Sequence, residues 1–232
     1  MSEIQYDNGL DVSMPIQSIN LFGNLYVPKN TTGIVIFVHG SGSSRFSPRN
    51  KYVAEYLNRS GFATLLFDLL TEEEDQIDEV TSEFRFNIPL LAKRLIEVTN
   101  WVLSQAELKN LKIGYFGAST GAAAALISAA NCPNDVDAVV SRGGRADLAA
   151  EALALVQAPT LLIVGGLDDL VIELNQEAKN KMHKAKIKQL SIIEGATHLF
   201  EEPGKLDEVT KLACDWFLKF LRGSPTEAHP ER

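Results

Sequence analysis

Cysteine and histidine are scarce in this chain: two and four, respectively, in 232 residues. Cys132 and Cys214 fall in segments of helical pattern, with no cysteine or histidine nearby at metal-ligand spacing. A disulfide framework and the common zinc patterns are thereby excluded, and the thiols read as reduced core residues of a cytoplasmic protein. Long apolar runs are missing as well. No segment approaches the roughly 20 residues of a membrane-spanning helix, and the opening MSEIQYDNG has neither the basic start nor the apolar stretch of a secretory signal. Positive charge is in deficit, 22 Lys and Arg against 30 Asp and Glu, for a net charge of −8. That balance excludes a nucleic-acid binder. Nothing implies a metal or an organic cofactor, and the oligomeric state is not encoded legibly.

What is present fits one globular domain, with an apolar fraction of 45%. GIVIFVHG (33–40), LKIGYFG (111–117) and APTLLIVGG (158–166) are short apolar runs bounded by turn residues, the pattern of strands buried on both faces. FATLLFD (62–68), DAVVSRGG (137–144) and KQLSIIEG (188–195) are weaker versions. Helical periodicity falls between them at 49–60, 87–106, 120–130, 147–156, 172–184 and 205–221. LDVSM and SINLFGNLYVP, ahead of the series, read as an antiparallel hairpin. The expectation is an α/β domain over 1–222 with a mostly parallel, doubly wound sheet and a flexible tail over 223–232. The acidic stretch 69–83 reads as the longest loop on the active edge, with some order of its own but too short for a large lid.

In such sheets, ligands gather at the carboxyl ends of the strands. There IGYFGASTG sets Ser119 between Gly117 and Gly121, after a strand and before an alanine run. A serine so placed is either a nucleophile on a strained turn or one more small residue opening a helix. Serine needs an adjacent base, and the base an orienting acid. His229 lies in the tail, His183 in a lysine-rich helix, and His39 at the end of a buried strand, where a structural hydrogen-bonding role fits. His198, in GATH after the last strand, remains as the base. Asp168 follows the seventh strand soonest and is the expected acid, with Asp169 as a helix cap, Asp147 as another cap and Asp68 structural. The backbone N–H groups of Thr120 and Ser41 are the expected oxyanion donors. The chain order Ser119, Asp168, His198 is that of α/β-hydrolases.

HGSGSSRFSPRN, GYFGASTGAAAA, SRGGR, APTLLIVGGLDDLV and GATHLFEEPG together resemble the dienelactone-hydrolase-like branch of that superfamily over about residues 15–221. They are similar to hydrolases that some bacteria fuse to a phosphoribosyltransferase domain. The resemblance implies the same three residues as the triad. It departs at the nucleophile, which is cysteine in dienelactone hydrolase itself and serine here.

A small ester, lactone or thioester is the expected substrate, cleaved through an acyl-enzyme. Acyl transfer to an acceptor other than water would use the same residues, and a non-catalytic binding module on the same fold is the third alternative. Arg45, Arg49, Arg142 and Arg145 follow strands on the active edge. Either they hold an anionic substrate group or they pair with acidic neighbours and brace loops.

Overall fold

The computed structural model describes residues 9–222. Its eight strands are β1 (Leu10–Ile16), β2 (Ile19–Tyr26), β3 (Gly33–Val38), β4 (Ala63–Phe67), β5 (Lys112–Ala118), β6 (Val136–Arg142), β7 (Thr160–Gly165) and β8 (Lys188–Ile193). They form one sheet in the order β1-β2-β4-β3-β5-β6-β7-β8. β1 with β2 and β2 with β4 are antiparallel, and every other pair is parallel. β3, β4 and β7 are buried along their whole length, as their unbroken apolar runs require. β1 instead alternates, burying Met14 and Ile16 on one face only.

Helices cover both faces. α1 (Pro48–Arg59) and α6 (Lys205–Leu221) bury Val53, Leu57, Val209 and Phe217 against one. α3 (Ile88–Ser104) buries Leu91, Leu95 and Val98 against the other, beside Ala123, Ala124, Ala125 and Leu126 of α4 (Thr120–Asn131). Each fully buried Leu or Val stabilises by about 1.5–3 kcal/mol before entropic costs. Ala122 to Ala125 are wholly buried, so α4 contributes only methyl groups to the packing there.

Three elements depart from expectation. The acidic stretch is not a loop: α2 spans Glu72–Thr81. Thr71 Oγ1 accepts from the Glu74 N–H at 3.3 Å, and the Glu74 carboxylate accepts from the Thr71 N–H at 2.9 Å. This reciprocal cap, with four acidic residues in the first turn, suits the positive end of a helix. The 147–156 segment is a 3₁₀ element, Ala146–Leu155, interrupted at Ala150 by a φ of 46°. α5 (Asp169–Lys181) starts three residues before the expected 172. The expected tail, with His229, lies outside the described residues.

Candidate functional site

Ser119 stands where β5 turns into α4, at φ 49° and ψ −122°. A side-chain-bearing residue in that region stores of order 1–3 kcal/mol of strain. The strain persists because the turn is clamped. Ser119 N–H donates to the Arg142 carbonyl at 3.2 Å, and its carbonyl accepts from Arg145 at 3.0 Å and Ala122 at 3.1 Å. The flanking glycines are obligatory for space: a Cβ on Gly117 would lie 2.5 Å from Ala122 Cα, and one on Gly121 2.2 Å from the Val38 carbonyl. Ser119 occupies the cap position of α4, yet its hydroxyl makes no cap bond. The alternative in which it merely opens a helix lacks the bond that would define it.

Asp168 and His198 meet across the same edge. His198 Nδ1 lies 2.6 Å from Asp168 Oδ2, with both side chains half-buried. With Nδ1–H given to the carboxylate, a neutral ring leaves Nε2 free. Asp168, not Asp169, holds the cap position of α5, but its carboxylate makes no cap bond, and Asp169 is the first helical residue. No hydrogen bond joins Ser119 to His198 among the described residues. The ring stands against Gly143, where a Cβ would come within 3.5 Å of Nδ1 and Cε1, and Gly143 directly follows the carbonyl that receives Ser119 N–H.

Of the two expected oxyanion donors, Thr120 is the first residue of α4, whose N–H has no intrahelical acceptor. The Ser41 N–H is engaged: it donates to Thr120 Oγ1 at 2.9 Å. His39 holds the loop below. Its Nε2 accepts from the Leu69 N–H at 3.0 Å, and its Nδ1 lies 2.9 Å from the Gly40 carbonyl, the structural role expected of it. Burial lowers its pKa and keeps the ring neutral.

The four arginines divide. Arg45 pairs with Asp68, Arg49 with the exposed Glu201 at 2.9 Å, and Arg145 with Asp147 through two bonds of 2.9 and 2.8 Å. Asp147 is therefore an ion-pair partner, and Arg145 takes the cap position expected of it. Only Arg142 has no carboxylate among the described residues. Two features were missed. Leu167, Leu170 and Leu199 are exposed and lie within two residues of Asp168 or His198 in sequence, a signal available from that adjacency. Arg85, anchored by the buried Asp78, brings Nη1 over Gly42 of the Ser41 loop, which no local pattern announces.

A mostly parallel eight-stranded sheet with a serine on the turn after its fifth strand is the α/β-hydrolase architecture. The model of the dienelactone hydrolase family matches residues 21–222, and the chain belongs to that family. It is 54% identical to a dienelactone hydrolase from Anabaena variabilis of known structure, with a TM-score of 0.89 over 92% of this chain and 98% of that one. Est1E from Butyrivibrio proteoclasticus shares the fold at 16% identity, with a TM-score of 0.75 over 91% of this chain and 98% of its own. A Mycobacterium tuberculosis protein named "Putative phosphoribosyl transferase" is 55% identical over 213 residues, 92% of this chain and 47% of that protein. The chain thus spans about half the length of the curated relatives it matches. Among the described residues, no helix is long and apolar enough to cross a membrane.

Proposed function

We propose that the protein is a serine hydrolase that cleaves a small carboxylic ester, lactone or thioester through an acyl-enzyme. The observation that carries this reading is the Ser119 hydroxyl, left without a cap bond on a strained turn at the edge where Asp168 and His198 are joined. His198 Nε2 takes the Ser119 proton as Oγ attacks the carbonyl carbon, and Asp168 stabilises the imidazolium. That step needs a Ser119–His198 contact, which in such sites commonly tightens only on substrate binding. The oxyanion accepts from the Thr120 N–H and from the Ser41 N–H, where it replaces the Thr120 hydroxyl as acceptor. The imidazolium protonates the leaving alcohol or thiol, and water then attacks the acyl-enzyme by the same route to release the acid. Leu167, Leu170 and Leu199, exposed and close in sequence to Asp168 and His198, suit an uncharged portion of the substrate.

The name of the Anabaena relative agrees with a lactone or ester substrate. The transferase name of the mycobacterial relatives describes proteins about twice as long, and the matched portion is the hydrolase-like one. A fluorophosphonate probe tests the reading without knowledge of the substrate. It should label the wild-type chain and not Ser119→Ala, and hydrolysis of p-nitrophenyl acetate should be lost in parallel. Undiminished turnover by folded Ser119→Ala would sink the mechanism.

A further inference from the structure

Among the described residues, two arginines are more than nine-tenths buried: Arg94 at 6% exposure and Arg142 at 7%. Their surroundings differ in kind. Arg94 donates to the Glu74 carboxylate and the Leu69 carbonyl, so its charge is met inside the fold. Arg142 meets no carboxylate. The one hydrogen bond of its side chain is long, Nη2 to Asn50 Oδ1 at 3.4 Å. Nε is sealed from solvent without a partner. Nη1 has no partner either, but it is not sealed.

The neighbouring charge has the wrong sign to help. Arg49, beside Asn50 in the first turn of α1, also has a buried, unpartnered Nε. Burial first, and then the Arg49 charge, push the Arg142 guanidinium down to about 10, so it stays charged at neutral pH. A buried guanidinium without a counter-charge is costly, and a fold that keeps one has something to set against it. Position supplies the candidate: Arg142 ends β6, and its carbonyl receives the Ser119 N–H. Arg45 and Arg145 each face a carboxylate, Asp68 and Asp147, although Arg45 Nε is itself buried without a partner, which leaves Arg142 as the cation of this edge with no counter-charge among the described residues.

We propose that Arg142, with Asn50 and Arg49 beside it, holds an oxyanion group, carboxylate or phosphate, carried by the ester that Ser119 cleaves. The proposal rests on the hydrolase reading for the ester, though not for the anion. Unpartnered guanidinium N–H groups match the oxygens of either group, and charge-assisted bonds of this kind are the strong ones.

The test uses the full chain, with inorganic phosphate and succinate as probes at fixed ionic strength and binding read from the melting temperature. Phosphate, succinate or both should stabilise the wild type, and the arm that responds identifies the group. Arg142→Gln should weaken that binding by about tenfold or more. Asn50→Asp should weaken it as much while raising the melting temperature in plain buffer, because it supplies the missing counter-charge in place. Arg145→Gln should keep the wild-type response. In parallel, Arg142→Gln should lower kcat/KM for mono-p-nitrophenyl succinate relative to p-nitrophenyl acetate by about tenfold if carboxylate is the group. If Arg142→Gln does not fold, Asn50→Asp carries the test alone. Probes that bind neither the wild type nor any variant, or that bind wild type, Arg142→Gln and Asn50→Asp equally, overturn the proposal. Fluorophosphonate labelling of the same preparations separates the two readings. Labelled protein that binds no anion removes the Arg142 site only, whereas anion-binding protein that resists the probe removes the nucleophile only.

Discussion

Among the described residues two serines stand at the head of a helix, and they do opposite things. Ser47 opens α1 with negative φ, −47°, and its hydroxyl accepts from the Asn50 N–H in the first turn. Ser119 opens α4 with positive φ, 49°, and its hydroxyl caps nothing. The first serine is relaxed and occupied; the second is strained and free. A cap satisfies a helix and gains stability, whereas a free hydroxyl on a strained turn costs stability and is retained for another use. The same residue type at the same helix position thus separates scaffold from site by backbone angle and bonding alone.

Substitutions can break this contrast, beginning with the largest effect. Ser119→Gly should abolish turnover, on the order of 10⁵–10⁶-fold. It should also raise stability by roughly 1 kcal/mol, because glycine accepts positive φ freely. A melting temperature that falls instead would mean that the hydroxyl has a structural partner. Asp168→Asn should cost about 10⁴-fold in kcat, while Asp169→Asn costs less than about threefold. The reverse order would reassign the acid. Thr120→Val removes the hydroxyl that positions the Ser41 N–H until the oxyanion replaces it, and should lower kcat about tenfold, with Thr120→Ser restoring it. Steady-state kinetics on one neutral ester settles both. The smallest effect belongs to the other serine: Ser47→Ala should lose about 1 kcal/mol in denaturant unfolding and leave turnover unchanged.

Legibility followed the range of the interactions. Strands buried on both faces announce themselves as unbroken apolar runs, so β3, β5 and β7 could be placed within a residue or two. The candidate site residues could be listed in the same way, since each follows a strand. α2 was missed because four consecutive acids look like a solvated loop, although Thr71 and Glu74 carry the capping-box spacing that marks a helix start. The break at Ala150 has no local signal, as alanine lacks both the freedom of glycine and the local side-chain bonds that let asparagine or aspartate take positive φ. Arginine pairing was opaque for a different reason. Arg145 finds its partner two residues away, but Arg45 reaches 23 and Arg49 152 residues along the chain. No pattern of residue types shows that Arg142 is left out of that exchange.

The buried ring of His39 works as a rivet between two loops. It joins Gly40, which leads into the Ser41 turn, to Leu69, which leads into α2, so a push on either segment is felt by the other. The rivet is sound only while the ring is neutral, because Nε2 must accept from Leu69. Burial holds its pKa below the ordinary imidazole value, against the Gly40 carbonyl and the charges of Asp68 and Asp75. Its contribution to stability is therefore whole above the unfolded pKa of about 6.5. It drains away as the pH falls below that, since the unfolded chain takes up a proton that the folded ring refuses. Acid thus loosens the seam under the Ser41 turn from the scaffold side.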